Sequence, residues 1–504
     1  MQNTSLNQTA AITPEAVEQL KSRGYQTDIL PKAASERSME AKNYFTLWMG
    51  SIHNIPNYAA VVGYLALGLS PIHTMIAIAL AGLAIALFMT TNGRAGTKYG
   101  IPFAIHLRSV YGDIGAKLPG FLRGCVAAIA WFGVQTYTGA AAMQIIIEKI
   151  WPSFASIGGD TLIAGISVPG IICFMIFWLA NMFVGLGGGG ILNKFTAILS
   201  PIIYVVFGSM MIWAIRVGGG IGNILSYVPQ SSSNYSVIFA YLIVIASLLS
   251  VWAAPGAAIA DFTKDATSQE AQIKGQYGSL FVGHLIFAIM AVVIVIGGSI
   301  HYGTMPGGDG VLDFIRAWDS TPAIVLSAGV FLMTTISTNA TGNIIPAGYQ
   351  LAALFPSKID YKKGVWIAGI ISILITPWNF MKGDGAILVF LNLIGSLLGP
   401  VAGVMIAHYY VVVKQQIDLN QLYFDVNDKV AASQSIYKGI NVQAYIATIS
   451  GLVISILGQF IDSLAWVSNI AWIAGFASAF VIYLILVNLT KGQVIGREKA
   501  LTNA

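Results

Sequence analysis

Trp131 and Gln135 lie four residues apart in the apolar stretch AAIAWFGVQTYTGAA, which places them one turn apart on a single helix face. An indole offers a flat apolar plate, and a primary amide a paired donor and acceptor. Together they suit a small planar ligand edged with amide groups, or else a helix interface in which the glutamine bonds a neighbouring helix. A second indole, Trp252, follows Val251 and precedes Pro255-Gly256; facing the first, it would complete a sandwich for a ring. Another apolar stretch carries TTISTNATGN, in which Thr334, Thr335, Ser337, Thr338, Asn339, Thr341 and Asn343 crowd ten residues. Hydroxyls can bond back to the preceding helical turn, but two asparagines cannot hide that way. The cluster is therefore either interhelical glue or a site. Ser337, Thr338 and Thr341 together with freed backbone carbonyls would suit a hard cation such as Na⁺. Asn54 offers an amide to a ligand, and His53 is either a proton carrier or a backbone ligand whose side chain faces elsewhere; the second reading is adopted.

These residues need elements that bring them together within a membrane. The 504 residues are 56% hydrophobic and 9% charged, with a mean hydropathy of +0.74, which is the composition of an integral membrane protein. Apolar runs of roughly 20 residues predict twelve spans, starting near Tyr44, His73, Phe121, Leu162, Ile191, Val237, Ser279, Pro322, Gly364, Gly385, Asn441 and Trp466. Alternate loops divide the 26 Lys and Arg residues 22 to 4, so both termini are expected in the cytoplasm. Two spans are broken by proline, at Ile52-His53-Asn54-Ile55-Pro56-Asn57 and at Trp252-Ala253-Ala254-Pro255-Gly256. A proline inside a span removes a backbone bond, and the groups it frees persist only where they line a site. Breaks in the first and sixth spans imply two five-span halves of opposite orientation, the inverted repeat of a secondary transporter.

The expected organisation is a cytoplasmic segment 1–43, repeats 44–236 and 237–410, a cytoplasmic loop 411–440, two further helices in 441–488 and a tail 489–504. The connection 93–120 reads as a re-entrant or surface helix on the cytoplasmic side. GLGGGG at Gly185 to Gly190 reads as a flexible linker between spans, because neither a preceding strand nor a following Gly-Lys-Ser/Thr makes it a phosphate loop. Without such a loop, an ion gradient or the substrate's own gradient must drive transport. Basic residues scattered over short loops make no nucleic-acid surface. Cys125 and Cys173 lie in apolar spans and form no disulfide framework. The polar first forty residues lack a cleavable signal core, so the first span is expected to direct insertion. Asp261 reads as a helix cap or a gate partner at the cytoplasmic edge. No catalytic carboxylate pair, metal cluster or activated nucleophile occurs at membrane depth, which argues against an enzyme.

LWMGSIHNIPNY, AGTKYGIPF, WFGVQTY, LNKFTAIL, VWAAP, ADFT, TTISTNATGNIIPAGYQ and GPVAGVMIAHY stand in the order and spacing of the nucleobase–cation symporter-1 family. The chain resembles that family from about Tyr44 to Asn488, and its bacterial allantoin permeases in particular. The resemblance implies an all-α membrane protein of twelve helices, a five-plus-five inverted repeat with two additional helices, shared with the sodium-coupled amino-acid transporters. In the family's sodium–hydantoin transporter the ring lies between two tryptophans, which match Trp131 and Trp252. The ring-binding Gln and Asn match Gln135 and Asn343, and a helix-1 Gln falls on the shorter Asn54. The family's sodium site maps to carbonyls of Gly50, His53 and Thr334 and to hydroxyls of Ser337 and Thr338. The chain departs from many relatives in having APG after Trp252 where ATL is usual, which should alter the break and make room for a ureido tail. The implied function is import of allantoin or a related 5-substituted hydantoin as a nitrogen source. Na⁺ is the implied coupling ion, with H⁺ the alternative, and helix 10 closes the site near Phe390. The expected location is a bacterial inner membrane, the partners are the small-molecule substrate and membrane lipid, and no obligatory protein partner is inferred. A uracil, cytosine or nucleoside permease is the alternative within the family.

Overall fold

The computed structural model describes residues 12–25, 27–230, 234–307, 310–355, 358–381, 386–425 and 428–497; at 28, 188–197, 200 and 386 it describes the backbone alone. Lys382 and Lys499 of the charge count lie outside the described residues, and so does the Lys194 side chain. Helices occupy every one of the twelve expected span positions, and among the described residues eight helical runs are long and apolar enough to cross a bilayer, including Pro71–Tyr99, Lys117–Ile150 and Thr321–Leu354. Several starts follow from local chemistry. Ser70, Ser167 and Ser320 each cap a helix with a side-chain oxygen and are followed one or two residues later by proline in the first turn.

The first span is two helices, α1 (Ala41–Ile52) and α2 (Ile55–Ala66), followed by α3 (Pro71–Asn92). In the connection 93–120 a helix α4 (Phe103–Tyr111) bears out the helical reading of this segment, but it is buried on nearly all sides and is not a surface helix. A π-helical turn, Leu122–Ala127, leads into α5 (Ala128–Ile150).

The fourth span starts later than its apolar run suggests, because residues from Leu162 to Ser167 form a two-residue antiparallel hairpin and helix begins at Val168. The glycine run is helical and continues α6 (Val168–Val217), contrary to the linker expectation. Its two legs nevertheless run in opposite directions. Phe174, Met182 and Gly185 meet Trp378, Gly369 and Tyr361, whereas Leu199, Phe207 and Trp213 meet Gly50, Phe331 and Trp318. The chain reverses near the glycines, where small residues allow a sharp bend.

The sixth span is broken into α7 (Val237–Val251) and the short α8 (Ala253–Ala257), and α9 (Val282–Tyr302) follows. α10 (Thr321–Asn339) passes through a π-helical turn, Ala340–Ile344, into α11 (Ile345–Leu354), and α12 (Tyr361–Leu374) packs back against it. α13 (Ala386–Ile406) is flanked by α14 (Val442–Ile456) and α15 (Ala471–Leu489). The last helix starts at Ala471, since residues from Ala465 to Asn469 form a separate short turn of helix. Two packed bodies result: α1, α3, α7, α8 and α9 in one, and α5, the first leg of α6, α10, α11 and α12 in the other.

Candidate functional site

The two breaks meet between these bodies. At the first, α1 ends at His53 and α2 begins after Asn54, with Pro56 in its first turn. Pro56 has no N–H for the Ile52 carbonyl, and Asn57 donates its side-chain amide there instead at 2.8 Å. Asn54 donates to the Ser51 carbonyl at 2.6 Å and accepts the Asn57 N–H at 3.0 Å. Both asparagines therefore stabilise the break, which in membrane depth would otherwise leave carbonyls unsatisfied. At the second break, Trp252 closes α7 with φ −91° and ψ 2°, and Asn92 of α3 donates to the Gly256 and Ala257 carbonyls at 2.7 and 3.0 Å.

Between the breaks lies a cavity lined by Trp48, Ser51, Asn54, Trp131, Gln135, Val251, Trp252, Pro255, Thr338, Gly342 and Asn343. Sequence reasoning named Asn54, Trp131, Gln135, Val251, Trp252 and Asn343, and the structure brings all six together. Trp131 and Trp252 are 3% and 2% exposed, and neither indole N–H has a partner; the Gln135 side-chain oxygen is likewise buried and unpartnered. Buried donors and acceptors without partners are costly, so this surface suits the polar edge of a ligand. The cavity measures only about 30 Å³, room for one or two waters. A ring enters only if the two bodies move apart. Phe390 of α13 stands edge-on to Trp131 at 4.8 Å and closes that side.

Trp48 was missed. It packs edge-to-face on Trp252 at 5.5 Å, its N–H also unpartnered, and its place one turn before the break on α1 was the available signal. Asn339 was seen in the polar cluster but given no role. Its amide reaches the Phe132 carbonyl, the Thr136 hydroxyl and the Asn181 oxygen at 3.1–3.3 Å, and its own oxygen accepts the Asn343 amide at 2.9 Å. This holds Asn343 in place from three helices. Of the Pro255-Gly256 pair, Pro255 lines the cavity. The space beside Gly256 is filled by Phe88, to which an added Cβ would come within 2.2 Å, so this glycine serves helix packing and does not enlarge the cavity.

Adjoining the cavity, Thr338 donates to the Gly50 carbonyl at 3.3 Å and to the Thr334 carbonyl at 2.9 Å. The Ser337 hydroxyl is fully buried and unpartnered, and it lies 2.8 Å from where a Cβ on Gly50 would stand. Gly50, Thr334, Ser337 and Thr338 thus converge as neutral oxygen donors, a set that fits a hard monovalent cation; the orphaned Ser337 oxygen is the observation that carries the fit. His53 caps α1 beside them. Its ring turns away, stacked on Phe207 at 5.2 Å and within 3.2 Å of the Tyr58 hydroxyl, which leaves the backbone as its contribution to the break. Asp261 accepts the Phe103 N–H at 2.9 Å and caps α4; burial raises its carboxyl pKa.

Residues 31–478 match the family model described as permease for cytosine/purines, uracil, thiamine, allantoin. The chain is 49% identical over 486 residues, 95% of its length and 98% of the relative's, to the Escherichia coli (strain K12) protein named "Putative allantoin permease". It is 34% identical over 472 residues to the allantoin permease of Bacillus subtilis (strain 168), covering 94% of this chain and 95% of that one. The structure superposes with a TM-score of 0.74 on Mhp1, a nucleobase-cation-symport-1 family transporter in a closed conformation with bromovinylhydantoin bound, at 21% identity over 94% of this chain and 98% of that one. The helical fold is thus shared with that transporter, and the chain belongs to the nucleobase–cation symporter-1 family of permeases.

Proposed function

We propose that the protein imports allantoin, or a related 5-substituted hydantoin, across a bacterial inner membrane by alternating-access symport with Na⁺. The observation that carries this reading is the pair of buried indoles, Trp131 and Trp252, in one cavity with the unpartnered oxygen of Gln135. A hydantoin is a flat ring of alternating C=O and N–H groups. Its faces suit the indoles, and its edge suits Gln135 and Asn343, with Asn54 holding the wall formed by the break. The names of the Escherichia coli and Bacillus subtilis relatives support the choice of substrate.

In this reading Na⁺ binds at the carbonyls of Gly50, His53 and Thr334 and the hydroxyls of Ser337 and Thr338. The cation draws α1 of one body onto α10 of the other and stabilises the occupied, outward-facing form. The ring then holds Trp131 and Trp252, which belong to different bodies, at one spacing. Phe390 covers it, and release follows on the other side. Both termini lie in the cytoplasm, as the charge asymmetry requires, with repeats at 44–236 and 237–410 and helices 11 and 12 in 441–488.

Uptake of radiolabelled allantoin into cells expressing the chain, competed by hydantoins and by nucleobases, tests the substrate. Hydantoins should compete strongly and uracil weakly. Strong inhibition by uracil alone would move the reading to a nucleobase permease, and hydrolysis of allantoin by the purified protein would end it.

A further inference from the structure

Arg123 is the one Lys, Arg, Asp or Glu buried among the described residues, 1% exposed, and the transport steps above make no use of it. It lies in the π-helical turn eight residues before Trp131, about 12 Å along the helix toward the face that carries both termini. A buried guanidinium survives in a membrane span only with specific partners. Its Nε donates to the Ala254 carbonyl and its Nη2 to the Gly342 carbonyl at 2.9 Å, while Nη1 has no partner. The Gly342 carbonyl is available because Pro346, four residues on, has no N–H to give it. Ala254 follows Trp252 by two residues and Gly342 precedes Asn343, so both carbonyls lie immediately beside the ring cavity.

The two bonds differ in what they join. Gly342 belongs to the same body as Arg123, whereas Ala254 belongs to the other, across the path from the cavity to the terminal face. Asn92 satisfies the neighbouring Gly256 and Ala257 carbonyls from within that other body, so those bonds travel with it. Separation of the bodies on the terminal side must break the Arg123–Ala254 bond and weaken the attraction between Arg123 and Asp261, which follows the same break in the chain. Opening would also wet a guanidinium that already has one unpaired amino group, which favours the water-exposed form.

We propose that Arg123 is a positioning residue that latches the passage between the ring cavity and the terminal face, holding it shut through Ala254 until release. The proposal rests on the transport reading. The unaltered chain can be tested directly, by treating purified protein with phenylglyoxal and following the Arg123 peptide by mass spectrometry. With allantoin and Na⁺ both present, Arg123 should be modified at least fivefold more slowly than with neither. A residue with a merely structural role would stay unmodified in both states. That result, or equal modification in both, in protein that still transports, would overturn the proposal; failure of uptake in the same preparation would instead count against the transport reading.

Variants add a second readout. With Val251→Cys as reporter in a chain carrying Cys125→Ser and Cys173→Ala, a membrane-impermeant maleimide applied to the terminal face should label Arg123→Met at least fivefold faster than the Arg123 parent. Arg123→Lys, which keeps the charge but loses the forked geometry, should fall between. Unchanged labelling in variants that still bind allantoin saturably would contradict the latch, and if the variants do not fold, the phenylglyoxal result on the unaltered chain decides.

Discussion

Gly50→Ala tests whether the cluster beside the cavity holds the coupling cation. A Cβ at position 50 would stand 2.8 Å from the Ser337 hydroxyl oxygen, 3.1 Å from Ser337 Cβ and 3.4 Å from Leu199 Cδ2. Ordinary contact begins at 3.4 Å, so the hydroxyl must retreat by about 0.6 Å. Metal–ligand distances are held to within about 0.2 Å, and a displacement three times larger takes Ser337 out of the coordination set while pushing α1 from α10. Coupling between two ligands is typically ~1–3 kcal/mol, a factor of ~5–150 in affinity. Na⁺ should raise allantoin affinity by a factor in that range in the parent and by less than about twofold in Gly50→Ala. Binding in choline should stay within about twofold of the parent, because no side chain of the ring cavity is altered. Equilibrium binding of radiolabelled allantoin in Na⁺ and in choline measures all four affinities. Gly63→Ala, whose methyl would meet only the flexible end of Leu388 at 3.3 Å, is the control and should keep the full response. A Gly50→Ala protein with the parent's Na⁺ response would refute the reasoning.

Trp131→Ala should weaken allantoin binding by ~1–3 kcal/mol, the worth of one ring stack, with Trp252→Ala nearly as severe; near-normal uptake in either variant would contradict the sandwich. Gly256→Ala drives a methyl into Phe88 at 2.2 Å and should lower the thermal midpoint in detergent by an overpacking penalty of ~1–3 kcal/mol, which Phe88→Ala should partly relieve. On α4, outside the spans, His106 is fully buried with both ring nitrogens unpartnered, and burial pushes its pKa down from 6.5 to about 4. The unfolded chain takes up that proton near pH 6.5 while the folded chain resists it to about pH 4. Stability should therefore fall as pH drops through this window, by up to ~1.4 kcal/mol per pH unit. Melting curves across this range should show the decline flattened in His106→Phe, and an unchanged acid limb would show that another group sets it.

The breaks were legible because proline acts locally: Pro56 and Pro255 forbid specific backbone bonds whatever surrounds them. The candidate site was legible for a related reason, since Trp131, Gln135 and Asn343 are polar or aromatic groups at depths where only a ligand or a neighbouring helix can satisfy them. What satisfies the freed carbonyls was not legible. Asn57 bonds back to Ile52 from within the first break, but Asn92 and Arg123 reach the second from positions that become neighbours only on folding, and a count of loop charges had placed Arg123 among the residues of the terminal face. The reversal at the glycine run was expected, but its helicity was hidden, because glycine marks a bend equally well whether the backbone stays helical or not. Late helix starts at Val168 and Ala471 escaped because apolar runs measure burial in lipid and say nothing of the short hairpin and turn that precede them.

Reciprocal titration of the purified chain tests the central claim most directly. Allantoin binding is followed by tryptophan fluorescence with and without Na⁺, and Na⁺ binding with and without allantoin. If the Gly50–Ser337–Thr338 cluster and the Trp131–Trp252 cavity are one coupled site, each ligand must tighten the other by the same factor, and Thr338→Ala must abolish both effects. Allantoin affinity that ignores Na⁺ but varies steeply with pH would contradict the account.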